Sequence, residues 1–339
     1  MTVKTNSFQQ EFFAKLQGKF SDDRAAMIRA IGDQLHVGRD AVYRRLRGET
    51  PLTGEEMIAL ARLYNICLDP VNTSDIPKMH YPDGAVEITS EAEYFRDVLM
   101  RSEMMAALDD VRVDYATPEL PLFYELNTPV LLAYKTYVYG LTTWNFSKWK
   151  DVPFRPELID PEVQQIANRL QRVLYSFPAR ELWSAGILDI TLREIEHGVQ
   201  VGYLIDDAMV GEMFRELEET IKHMESMTRI GKRFPPGERP AADSPDFRVY
   251  HNEMTNTNNV ILIRSPQQSV VYTTFVNPNY LFSSDARVIN QMQTWFDNLV
   301  ASSNVLSADT GKYAVTYFKG LRKKVADTKN RIQVMNSII

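Results

Sequence analysis

The chain has 339 residues, 44% hydrophobic and 24% charged, with a formal net charge of −6. This length allows two domains and a sizeable core, and the composition excludes a disordered or fibrous chain. The negative balance excludes a general basic coat, so any nucleic-acid contact must come from a local patch. A single cysteine, Cys67, excludes an internal disulfide and fits a reducing compartment. The N-terminus is polar and lacks the apolar run of a secretory signal. No stretch reaches the roughly 18 apolar residues of a membrane span. Residues 130–146 come nearest and are interrupted by Lys135. A cytoplasmic location is the expectation.

In chain order, residues 7–20 predict a helix, because Phe8, Phe12, Leu16 and Phe20 recur every four residues. Ser21 or Asp22 is expected to cap a second helix reaching Leu35, with Ala26, Met27, Ala30, Ile31 and Leu35 buried. Val37 should plug the corner that follows. Gly38 should open a third helix and let its backbone approach a ligand. Ala41, Val42 and Leu46 share the inner face of that helix, which leaves Arg39, Tyr43, Arg44 and Arg47 outside. Gly48 stops it. Residues 36–48 carry four Arg and one Asp, a local basic patch. Pro51-Leu52-Thr53 breaks the chain, and Thr53 with Glu56 forms a capping box for a fourth helix with Met57, Leu60, Ala61 and Tyr64 inward. Residues 1–69 thus read as one small helical domain.

Residues 70–88 are rich in turn formers and read as a linker. A second domain, 89–339, is expected to begin with a helix over 90–108. A strand at 111–115 and a turn framed by Pro118 and Pro121 follow. Further helices are expected at 128–146, 161–176, 179–198 and 206–230. An exposed loop covers 233–246. Strands are expected at 247–252, 259–264 and 269–276, with Asn256–Asn259 turning between the first two. Helices near 285–302 and 310–328 close the chain. The expected class is α+β: mainly α, with a small antiparallel sheet in the larger C-terminal domain.

The pattern of Ile31 to Gly48 has the form of a helix-turn-helix, whose second helix enters the DNA major groove. It resembles the Cro/repressor-like (XRE-type) class, and Val42-Tyr43-Arg44-Arg45-Leu46 is also similar to the lactose-repressor-like class. Leu63-Tyr64-Asn65-Ile66-Cys67-Leu68-Asp69 resembles the final helix and exit loop of the Cro/repressor-like fold. His36 stands where those families carry Gly. The whole order resembles bacterial proteins that join such a domain to a long uncharacterised region. That likeness rests on Asp40 to Glu49, Leu122-Phe123-Tyr124, Glu181-Leu182-Trp183, Val249 to Glu253 and Asn277-Pro278-Asn279-Tyr280. The resemblance implies transcription regulation, with base contacts from Arg39, Asp40, Tyr43 and Arg44. Arg can give guanine a bidentate pair, and Asp40 either accepts from cytosine or holds Arg44. Phosphate contacts are expected from Gly38, Arg45 and Arg47.

The expected partners are double-stranded DNA, a second copy of the chain and an effector of unknown chemistry, with no membrane and no cofactor. The rival reading is a protein-docking module with a ligand-binding C-terminal domain. Enzyme signatures such as a phosphate loop, a dinucleotide fingerprint or a nucleophile elbow are absent from the sequence. Glu194-Ile195-Glu196-His197 lacks the second His of a zinc helix. The aromatics Phe123, Tyr124, Tyr134, Tyr137, Tyr139, Trp144 and Trp149 fit a core, an interface or a pocket. The basic run 312–331 fits a solvated face or a second acidic-partner contact.

Overall fold

A computed structural model describes residues 7–20, 23–64, 66, 68, 79–81, 88–253 and 257–336. The chain divides into two compact units, Met1–Pro77 and Lys78–Ile339. Ser21, Asp22 and Cys67 lie outside the described residues, as does most of 70–88.

Four helices make the first unit: α1 Ser7–Gly18, α2 Arg24–Leu35, α3 Arg39–Leu46 and α4 Gly54–Leu63. Phe12, Phe13, Leu16, Met27, Ile28, Ile31, Val42 and Leu60 form its core. The residue that caps α2 is Asp23, whose Oδ1 accepts from the amides of Ala25 and Ala26, both at 3.0 Å. Thr53 and Glu56 form the expected capping box on α4. Gly48 has φ +77°, and the Glu49 amide reaches back to the Arg44 carbonyl at 2.9 Å, which closes α3 as the sequence predicts.

The second unit is α+β. Its helices are α5 Glu91–Ala106, α6 Leu122–Glu125, α7 Pro129–Thr142, α8 Pro161–Tyr175, α9 Asp189–Gln200, α10 Asp207–Ile230, α11 Ala286–Ala301 and α12 Gly311–Asn336. Its strands are β1 Arg112–Thr117, β2 Ala179–Trp183, β3 Phe247–His251, β4 Val260–Arg264, β5 Ser269–Val276, β6 Asn279–Ser283 and β7 Asn304–Leu306. All seven lie in one sheet ordered β6-β5-β4-β1-β2-β3-β7. The expectation of a small antiparallel sheet is corrected here, because β1 pairs with β2 and β2 with β3 in parallel. Helices between these strands supply the long crossovers that parallel pairing needs.

Residues 179–183 are a strand rather than the start of a helix. Glu181 and Trp183 face one side and Leu182 the other, so the short run has period two. The helix begins only at Asp189. Register is pinned by Asp114 on β1, which is buried. It accepts from Arg180 Nε of β2 at 2.6 Å and from Arg264 Nη2 of β4 at 2.7 Å. The main core covers one face of the sheet, and α11 covers the other through Phe296 and Ile289. The aromatic segment is core: Tyr124, Tyr134, Tyr137, Tyr139, Trp144 and Trp149 are all buried. His80, inside the stretch read as linker, pairs with Phe282 of β6 through two backbone hydrogen bonds of 2.7 and 2.8 Å. Arg233 and Phe234, at the head of the expected exposed loop, are buried. On the basic run, Arg322, Lys324 and Arg331 pair with Glu225, Asp189 and Glu196, so its charge is neutralised only in part.

Candidate nucleic-acid interface

Three residues, His36 to Gly38, separate α2 from α3. His36 closes α2 with φ +53°, the left-handed conformation that glycine adopts most easily. The Val37 amide folds back on the Gly32 carbonyl at 3.0 Å. A Cβ at Gly32 would stand 3.1 Å from the Val37 oxygen, so glycine lets the turn lie close to α2. Gly38 is different. Its φ is −68°, and a Cβ there would meet nothing within 4 Å, so the fold alone does not require glycine.

On α3 the labour is divided by face. Val42 is fully buried, with Ala41 and Leu46 half-buried beside it. Arg39, Asp40, Arg44 and Arg47 are exposed and Tyr43 is half-buried. The Arg39 guanidinium lies 5.7 Å from the Tyr43 ring centroid and donates to its hydroxyl at 3.4 Å. That contact preorganises the first turn of the helix. Among the described residues, Arg44 has no carboxylate partner, and the Asp40–Arg44 pair offered by the sequence is not formed. Arg47 grips Glu49 through Nε and Nη2 at 2.6 and 3.1 Å, and both side chains are exposed.

Arg45, expected at a phosphate, is engaged within the fold. Its side chain is 13% exposed and forms a fork on Glu56, with Nη2 at 2.7 Å from Oε1 and Nε at 3.4 Å from Oε2. Its Nη1 also donates to the Ala41 carbonyl at 3.3 Å. The same Glu56 carboxylate completes the α4 capping box, accepting from the Thr53 amide at 2.9 Å. Arg45 therefore ties α3 to the start of α4. Burial works against the Glu56 charge, yet Arg45 and Thr53 together hold its carboxyl below the ordinary range.

Gln9 of α1 is a positioning residue that the apolar stripe of α1 does not disclose. It is buried, and its amide donates to the carbonyls of Arg45 at 2.7 Å and Thr50 at 3.1 Å. Its carbonyl accepts from the Leu52 amide at 2.8 Å. One side chain thus satisfies three backbone groups of the turn that follows α3. Its one signal in the sequence is its place three residues before Phe12 and seven before Leu16, on the face of α1 that is buried. No family model, no curated protein sequence and no solved structure matches the chain.

Proposed function

We propose that this protein is a sequence-specific DNA-binding regulator of transcription whose α3 enters the major groove. The carrying observation is the division of labour on α3. Val42, Leu46 and Arg45 are held in the fold and Tyr43 packs partly against its core, while Arg39, Asp40, Arg44 and Arg47 are exposed. In this reading Arg44 gives guanine a bidentate pair, since among the described residues its guanidinium makes no hydrogen bond or close ion pair, although Glu49 feels its charge. Arg39, held against Tyr43, reads at the first turn with Asp40. The Gly38 amide and Arg47 meet phosphates, Arg47 exchanging Glu49 for the nucleic acid. Arg45 is left out of the contact set. Helices of this kind commonly bind as two-fold pairs, so the second unit is assigned the dimer contact.

Fluorescence anisotropy of the full chain on a mixed-sequence duplex, at rising salt, tests the electrostatic part. The log–log slope should be about −0.9 for each phosphate neutralised, so a few contacts give a slope of about −2 to −4. Affinity unchanged by salt, or no binding at low salt, would remove the proposal and favour a protein-docking role for the same helices.

A further inference from the structure

The second unit holds a cavity of about 360 Å3 at the C-terminal end of β1. There β1 has a parallel neighbour on one side and an antiparallel one on the other. The cavity lies beyond the carboxyl end of β1, where Pro118 and Glu119 line it. Its volume lies in the range of small-molecule sites. The cavity is walled by α7, α9 and the chain entering β4 and leaving β5.

Its polar groups are built rather than incidental. Glu119 Oε1 accepts from the side-chain amides of Asn259 and Asn277, the latter at 2.9 Å. Asn259 is 3% exposed and is itself fixed, its oxygen accepting from Thr117 at 2.7 Å and Tyr115 at 3.2 Å. Glu194 Oε2 accepts from Lys135 Nζ, a buried ammonium that also stands 3.9 Å from Glu125. Among the described residues, Glu119 Oε2 and Glu194 Oε1 accept from no protein donor. Behind them Glu125 is 1% exposed and its Oε2 has no partner at all. Three carboxyls thus surround one ammonium.

Burial pushes the Glu125 carboxyl up to about 8 and raises Glu119 as well. A buried charge cluster is a poor source of stability, since packed apolar side chains would serve the core as well. Perturbed acids beside an unfilled cavity mark a binding site instead. Val138 and Ile190 give the cavity an apolar wall, and Phe275, 62% exposed, stands at its rim. Among the described residues no group of three His, Cys, Asp or Glu is placed to hold a metal ion.

We propose that this cavity binds a small organic cation, an alkylammonium or guanidinium, with its head between Glu119 and Glu194 and its stem against Val138 and Ile190. Calorimetric titration of the full chain with agmatine and with putrescine tests this, with butanol and glutarate as neutral and anionic counterparts. At least one cation should bind saturably, one per chain, and neither counterpart should. Glu119→Gln keeps the acceptor for Asn259 and Asn277 but turns the free oxygen into a donor. It should weaken the cation about tenfold or more. Thr142→Trp, at an exposed position on the cavity wall, should block binding without touching the charges. Circular dichroism checks that each variant folds, and either folded variant suffices. No saturable binding of either cation up to millimolar concentration would overturn the proposal. Equal binding of butanol or glutarate, or wild-type affinity in the folded variants, would do the same.

Discussion

Replacing Gln9 by leucine keeps the side chain's size and removes its three hydrogen bonds. The Arg45 and Thr50 carbonyls lose a donor, and the Leu52 amide loses an acceptor. A buried polar group left without a partner costs about 1–3 kcal/mol. Thr50 and Arg45 are half-buried and the Arg45 carbonyl keeps the Gly48 amide at 3.0 Å, whereas the amide of Leu52, a residue 8% exposed, is left without an acceptor. Counting that one group in full, the expected loss is about 1–3 kcal/mol, reduced by the apolar burial that leucine regains. A unit of this size has stability on the order of 4–12 kcal/mol, so the loss is a large share. The assay can separate the two units. All four tryptophans, Trp144, Trp149, Trp183 and Trp295, lie in Lys78–Ile339. Fluorescence therefore follows the second unit during urea unfolding, while far-ultraviolet circular dichroism follows both. Gln9→Leu should move part of the helical signal to lower urea and leave the tryptophan transition in place. Superimposable dichroism curves, or a tryptophan transition that moves in step, would refute the reasoning.

Three further outcomes follow from other contacts. The Glu56 carboxyl is held below its ordinary value of 4.5, so its contribution is present above that pH and is lost as pH falls through the lowered value. Glu56→Gln should therefore weaken the first unit at neutral pH and make it less sensitive to acid, read by dichroism at a series of pH values. Glu125 has the opposite sign: its folded value is raised from 4.5 to about 8, so its contribution is present below 4.5 and lost as pH rises through that window. Glu125→Gln should flatten the decline, and a tryptophan midpoint that falls as steeply in the variant would contradict it. At Gly140, an added Cβ would overlap the Trp149 ring. Gly140→Ala should cost the second unit about 1–3 kcal/mol through overpacking, seen as an earlier tryptophan transition.

Helix ends were the most legible part of the fold. Thr53 with Glu56, and Gly48 after the last apolar residue of α3, state their roles locally because caps act within one turn. The strand 179–183 was not legible. Its five residues lie between two helical patterns, and only the pairing with β1 and β3 decides its conformation. The exposure of Arg39, Arg44 and Arg47 on α3 followed from spacing alone, but the partial packing of Tyr43 on the core and the use of Arg45 did not. Its partner Glu56 is eleven residues away and on another helix. Gln9 is hidden for the same reason, acting across more than thirty residues. Lys135 reads in sequence as an interruption of an apolar run. The structure buries it with Glu125 and Glu194, a role that depends on α9 arriving beside α7.

The most direct test of the α3 assignment is selection of the full chain against a randomised pool of double-stranded DNA, repeated with Arg44→Ala and Arg47→Ala. Wild type should enrich a defined motif. Arg44→Ala should cost about 1–3 kcal/mol on that motif and relax the preference at one base pair in each half-site. Arg47→Ala should weaken all sequences alike and shorten the salt slope by about one unit. Failure of the wild-type chain to enrich any motif would contradict the account. So would an Arg44→Ala variant that keeps both wild-type affinity and wild-type preference.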